Sequence, residues 1–147
     1  MGGIAGIARS QGSLTESERT ALDAGSRFST ENAAFSARPR STMASDADTV
    51  VVVAGHFDRS PTTGQSAAEV VLGGWAREGA GVFAQVEGAW VAAVYERAPK
   101  RLHLFRDPFG VRRLYWSEAN GRIAFASSLR PLLEIPGISR ELARENL

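Results

Sequence analysis

The chain has 147 residues, a formal net charge of +1, 44% hydrophobic and 22% charged residues, and no cysteine. That length suits one domain, and the apolar fraction is enough for a real core, which excludes wholesale disorder. Zero cysteines exclude a disulfide framework, a thiolate metal site and a thiol nucleophile, and near-neutrality argues against a dedicated nucleic-acid binder.

No targeting or membrane segment is visible. Apolar runs such as Val50 to Ala54 are far shorter than the roughly 20 residues that span a bilayer. The N-terminus lacks a basic start and an apolar stretch. A cytoplasmic location is the expectation, with the initiator removed before Gly2.

In chain order, Gly3 to Ala8 reads as a buried first strand whose glycines let other backbone approach closely. Ser13 and Glu16 form a capping box that opens a helix fading near Gly25. Phe28 to Asp48 is hard to assign; Ala33 to Ala37 fits a short strand or a surface loop. Val50 to Phe57 is a strand of β-branched residues. Ser66 and Glu69 form a second capping box, opening an amphipathic helix that ends near Gly79. Ala89–Glu96 and Arg101–Arg106 read as a hairpin. Arg112–Ser117 and Arg122–Ser127 read as another, turning at Asn120-Gly121. Leu129 to Leu133 is a short helix stopped by Pro136-Gly137. Consecutive hairpins and few helices imply an α+β fold with antiparallel sheets.

Several chemical motifs have simpler explanations. The glycines at Gly2, Gly3 and Gly6 fit packing better than phosphate binding, and Ser66 fits a helix cap better than a nucleophile. His56 and His103 lack a second histidine at ligand spacing. Residues 97–130 carry eight basic and two acidic side chains, read as the solvated face of strands rather than an anion-binding surface. Arg106-Asp107-Pro108-Phe109-Gly110-Val111 reads as a structural corner: a strand ends, Pro and Gly force a turn, and Asp107 accepts backbone N–H bonds.

The stretch RDPFGVRRLYW (106–116), followed by FASS (125–128) and Leu132-Leu133, resembles the end of the class II glutamine amidotransferase domain of asparagine synthetases. That family shows an RD-xx-G-hh-P-LYY corner and an FASE segment. Gly2 to Ile7 resembles its CGIAGI opening, Ser66 to Val70 its S-D-T-E-V helix start, and Val82 to Glu96 its LNGMFAFALWD strand. The resemblance implies an N-terminal-nucleophile αββα sandwich of two stacked antiparallel sheets between helices. It implies residues 1–135 as the glutaminase-like domain and 136–147 as the start of a linker to a synthetase domain or partner subunit.

It also implies a reaction in which an N-terminal cysteine attacks glutamine, with its own α-amino group as the base. Here the nucleophile position is Gly2. The family's NGEIYN segment aligns with Ala54 to Arg59, so its oxyanion asparagine is Ala54, the following glycine is Gly55, and its glutamate is His56. The aspartate that holds the substrate amine aligns with Ala67. Its substrate-gripping arginine has no clear counterpart: Arg38 or Arg40 could sit nearby, but the local sequence does not match. Gly55 is thus the remnant of the substrate site. The corner also departs from the pattern: Arg113 replaces a proline and Ser128 a glutamate. Arg106, Asp107, Gly110 and Arg113 form the candidate partner interface.

These departures lead to an expected pseudo-glutaminase supporting an ATP-dependent amide-forming synthetase, as in β-lactam synthetases and lasso-peptide cyclases. No catalytic residue, metal or cofactor is expected in this chain; ATP and Mg belong to the partner or missing domain. Membrane and nucleic acid are not expected partners. Two alternatives stay open: an active amide hydrolase using Ser66 or a threonine, and a stand-alone binding module using the basic face.

Overall fold

The structure is a computed structural model that describes residues 3–22 and 26–138. Its strands are β1 (Ile4–Arg9), β2 (Ser26–Ser29), β3 (Ala33–Ala37), β4 (Ser41–Ser45), β5 (Thr49–Arg59), β6 (Glu87–Glu96), β7 (Arg101–Arg106), β8 (Tyr115–Ala119) and β9 (Arg122–Ala126). The helices are α1 (Glu16–Thr20), α2 (Ala67–Glu78) and α3 (Leu129–Glu134), and a 3-10 segment, Gly79–Gln85, follows α2. One sheet has the order β2-β3-β1-β9-β8, the other β4-β5-β6-β7. Each neighbouring pair is antiparallel.

Three apolar layers follow from the alternation of side chains along each strand. Ile4, Phe35, Val50, Val52, Ala54, Val91, Tyr95 and Phe125 meet between the sheets. On the outer side of the four-stranded sheet, Val51, Val53, Trp90 and Val94 pack against Val70 and Val71 of α2. On the outer side of the other sheet, Ala5, Ile7 and Ala124 pack against Leu14, Leu22 and Leu132. Central strands are therefore covered on both faces, and the expected αββα sandwich is what forms. This is why β1 and the first part of β5 read as unbroken apolar runs.

Gly6 lies in the inter-sheet layer. A Cβ there would come within 2.4 Å of a Phe35 ring carbon and 2.5 Å of one in Phe125. The close approach at Gly6 is therefore made by two aromatic rings, not by the neighbouring backbone that the sequence reading expected.

Differences from the sequence reading have local causes. The first helix is capped by Thr15 with Glu18, not by Ser13 with Glu16. The Glu18 carboxylate is held by Arg9 and Arg122, each at 3.0 Å, which selects the later of two overlapping boxes. Ser13 Oγ bonds Glu31 instead. Burial pushes the Glu18 carboxyl up, but the Thr15 N–H and the two guanidiniums outweigh it and hold it below its ordinary range. The helix ends at Thr20, and its expected fade near Gly25 lies outside the described residues. Ala33–Ala37 is a strand, flanked by two polar strands, β2 and β4, that the sequence left unassigned. Both are sheet edges, where one row of backbone groups stays unpaired and polar side chains are normal. Of the expected linker, Pro136 accepts a bond from Arg122 and Ile138 packs on the outer layer; residues 139–147 lie outside the description.

The chain crosses from β7 to β8, and so from one sheet to the other, through the Asp107 corner. Asp107 is 1% exposed. Its Oδ1 accepts from the N–H groups of Phe109 (3.1 Å) and Val111 (3.0 Å), and its Oδ2 from Arg112 (3.2 Å). Burial alone would raise its pKa. The N–H groups of Val111, Arg112 and Phe109 favour the anion more strongly and hold it below the usual carboxylate range. These bonds hold residues 109–112 in the turn, and β8 starts at Tyr115 rather than at Arg112.

Two predictions follow for stability. Gly6→Ala must displace two packed rings and should cost about 3 kcal/mol in urea denaturation, the upper range for overpacking; a cost under ~0.5 kcal/mol would contradict the packing. Asp107→Asn turns one acceptor into a donor facing the Arg112 N–H and should cost about 2 kcal/mol. Since the folded pKa lies below the unfolded one, this advantage is complete above about pH 4. It should shrink as pH falls further, toward the folded pKa. A wild-type advantage that stays constant well into acid would argue against a charged Asp107.

Candidate functional site

β5 leaves the core at Gly55, and the packing there dictates glycine. Its φ is +104°, and a Cβ would lie 2.1 Å from the Ala89 carbonyl oxygen and 2.9 Å from Trp90 Cα. Gly88 on the facing strand has φ +147°, and its Cβ would meet the His56 carbonyl at 2.2 Å. Only two residues without side chains let the strands close here. Beyond them the register shifts between Phe57 and Arg59, which turns the end of β5 outward.

A cleft of about 240 Å3 opens beside this bend, between the end of β5 and the start of α2. It brings together Gly55, His56 and Ala67, three positions separated in sequence but singled out together by the resemblance. Thr42, Ser60, Thr62 and Gln65 supply its polar wall, and Phe57 and Val70 its apolar one. The hydroxyls are already engaged. Thr42 Oγ1 accepts from the Ala68 N–H at 3.1 Å, Ser60 Oγ donates to the Thr62 carbonyl at 3.0 Å, and Thr62 Oγ1 donates to Gln65 Oε1 at 2.7 Å. Ser66, weighed as a nucleophile, caps α2 through the Glu69 N–H at 3.2 Å. His56 Nε2 stands 3.1 Å from Asp58 Oδ1, with both side chains largely exposed. The lining contains no carboxylate and no guanidinium. Among the described residues, no three His, Asp or Glu side chains converge as metal ligands would.

Ala54 is fully buried in the inter-sheet layer, adjacent in sequence to the cleft residue Gly55. Its partner across the β4–β5 ladder is Ser41. Ser41 Oγ is buried and has no hydrogen-bond partner. Such an orphan is uncommon, because a buried hydroxyl without a partner costs free energy. The start of β1 is tied to the same region: the Arg38 N–H donates to the Gly3 carbonyl, which places Arg38 beside the first described residue. The Ile4 N–H donates to Ser127 Oγ at 2.9 Å. Gly2 itself lies outside the described residues.

The corner residues separate into two roles. Arg106 and Arg113 are exposed, and Gly110, with φ +64°, lies under the Arg106 guanidinium. Asp107 is inside, with its carboxylate turned onto backbone, so it holds the corner rather than facing a partner. The sequence reading gave no role of their own to Phe109 and Val111, which are 91% and 67% exposed. The signal was present as two large apolar residues flanking a turn glycine, where polar residues are the rule.

A family model described as a glutamine amidotransferase domain matches residues 54–147. A search of curated proteins finds no match. The matched stretch covers well over half of the chain and contains Ala54, Gly55, Ala67, both capping residues of α2 and the whole Asp107 corner. The two-sheet sandwich, the cleft at the bend of β5 and this match together place the chain in the glutamine amidotransferase domain family.

Proposed function

We propose that this domain no longer hydrolyses glutamine and serves as the non-catalytic support of an ATP-dependent, amide-forming synthetase of the asparagine synthetase kind. In this reading the partner, as a domain or a separate cytoplasmic subunit, carries ATP and Mg. The observation that carries the reading is the lining of the cleft. Glutamine in solution bears an ammonium and a carboxylate, and a site that selects it pairs both. The cleft offers neither partner, and its hydroxyls already serve loop and helix cap. Gly2 supplies no side chain to attack an amide, and the sequence holds no cysteine elsewhere.

The buried Ser41 hydroxyl fits the same reading. A carboxamide at position 54 would stand within reach of it, since directly opposed residues have Cβ atoms about 5 Å apart. With Ala54 in place the hydroxyl is left unpaired.

Purified chain incubated with glutamine should release no more glutamate than a heat-killed control, and Gly2→Cys should remain silent because Ala54 and Ala67 persist. Measurable hydrolysis by either protein overturns the proposal. For the second observation, Ala54→Asn should be tolerated better than Ala93→Asn in the same layer by about 1 kcal/mol, the net worth of one hydrogen bond. Equal losses in chemical denaturation would show that Ser41 does not mark a lost polar neighbour.

A further inference from the structure

We infer that the side of the sandwich closed by β7 and β8 is a docking surface for an acidic protein partner, with the Phe109–Val111 corner as its anchor. The inference rests on the reading above that the domain acts through a partner, and it names where and by what chemistry. The anchor is apolar and held in place. Phe109 is 91% and Val111 67% exposed, yet their backbone N–H groups are both fixed by the buried Asp107 carboxylate. A large apolar side chain displayed on a fixed loop loses little conformational freedom on binding, which is the property of an interface anchor.

A receiving cleft lies between the two strands that the corner joins. Trp116, 61% exposed, borders a cleft of about 310 Å3 that it lines with the apolar residues Leu102, Leu104 and Ile123. The cleft is the open mouth of the inter-sheet layer, since both flanking strands, β7 and β8, are sheet edges. Knob and cleft together form an apolar surface of the kind found at the centre of protein interfaces. The rim at the corner end is cationic. Arg106 and Arg112 flank the anchor, and neither has an ion-pair partner among the described residues. The one acid in the corner, Asp107, is buried and engaged with backbone. The complement is an apolar pocket rimmed by Asp and Glu. A second copy of this chain would bring arginines against arginines. A nucleic acid would leave the apolar cleft unfilled, and the net charge of +1 gives it little attraction.

The test is photo-crosslinking of the full chain in cells that make it. p-Benzoylphenylalanine replaces Phe109 or Trp116, or Ser45 on the opposite sheet edge as a control, and cross-linked peptides are read by mass spectrometry. The expected result is that positions 109 and 116 link to one protein, at segments rich in Asp and Glu, and position 45 does not. Arg106→Glu with Arg112→Glu should lower the yield about tenfold or more, with the melting temperature unchanged. No link at 109 and 116, links to nucleic acid or to another copy of this chain, links at a segment without acids, or a yield indifferent to charge reversal would each overturn the inference. An acidic partner that is not an amide-forming synthetase would sink the proposed function and leave the docking surface standing. Glutamine hydrolysis by the purified chain would likewise refute the silent-domain reading alone.

Discussion

The β5–β6 pair is the constraint on which the other elements depend. Both strands bury alternate residues in two different layers, Val50, Val52, Val91 and Ala93 inward and Val51, Val53, Ala92 and Val94 outward. A strand buried on both faces needs a sheet on one side and helices on the other. The five-stranded sheet supplies the first cover and α2 with its 3-10 extension the second. The end of β5 can leave the core only where the burial stops, and it stops at Gly55 while the pairing with β6 runs on to Arg59. The cleft is therefore placed by the end of the hydrophobic run, and the first turn of α2 closes it because the same helix covers the outer layer.

The parts of this fold that were legible in the sequence are those with a strong local signal. The Val50–Phe57 run, the Ser66–Glu69 capping box and the Asn120-Gly121 turn each specify one local geometry. Asn120 and Gly121 have φ of 54° and 72°, the paired positive values that a two-residue hairpin turn requires. What escaped depends on tertiary context. β2 and β4 are polar because they are edges, and edge position is a property of the sheet, not of the segment. The shift of the first cap from Ser13 to Thr15 depends on Arg122, more than a hundred positions away, which competes for the Glu18 carboxylate.

The site was legible in part for the same reason. Alignment with family motifs singled out Gly55, His56 and Ala67, and the structure brings these into one cleft. It could not foresee that Thr42, from the unassigned polar stretch, would complete the wall by bonding the first turn of α2. Nor could it foresee the unpartnered Ser41 hydroxyl, which exists only because β4 pairs with β5 in the register that sets Ser41 against Ala54.

The residues that carry the family resemblance most clearly are ones the scaffold itself demands. Gly55 is fixed by the close approach of β6, Asp107 by three backbone N–H groups, and Ser66 with Glu69 by the exposed end of α2. Each would be kept by a protein that had given up all glutamine chemistry. Positions 54 and 67, where only chemistry would ask for a polar side chain, hold alanine, which packs well and accepts no ligand. Phe109 and Val111 show the reverse: stability alone gives no reason for two large apolar side chains to stand in water on a fixed loop. In the proposed reading, selection for stability explains the first group and relaxation of a site the second. In the same reading the third belongs to a surface that another protein covers, and the work of the domain has moved from the cleft to the corner.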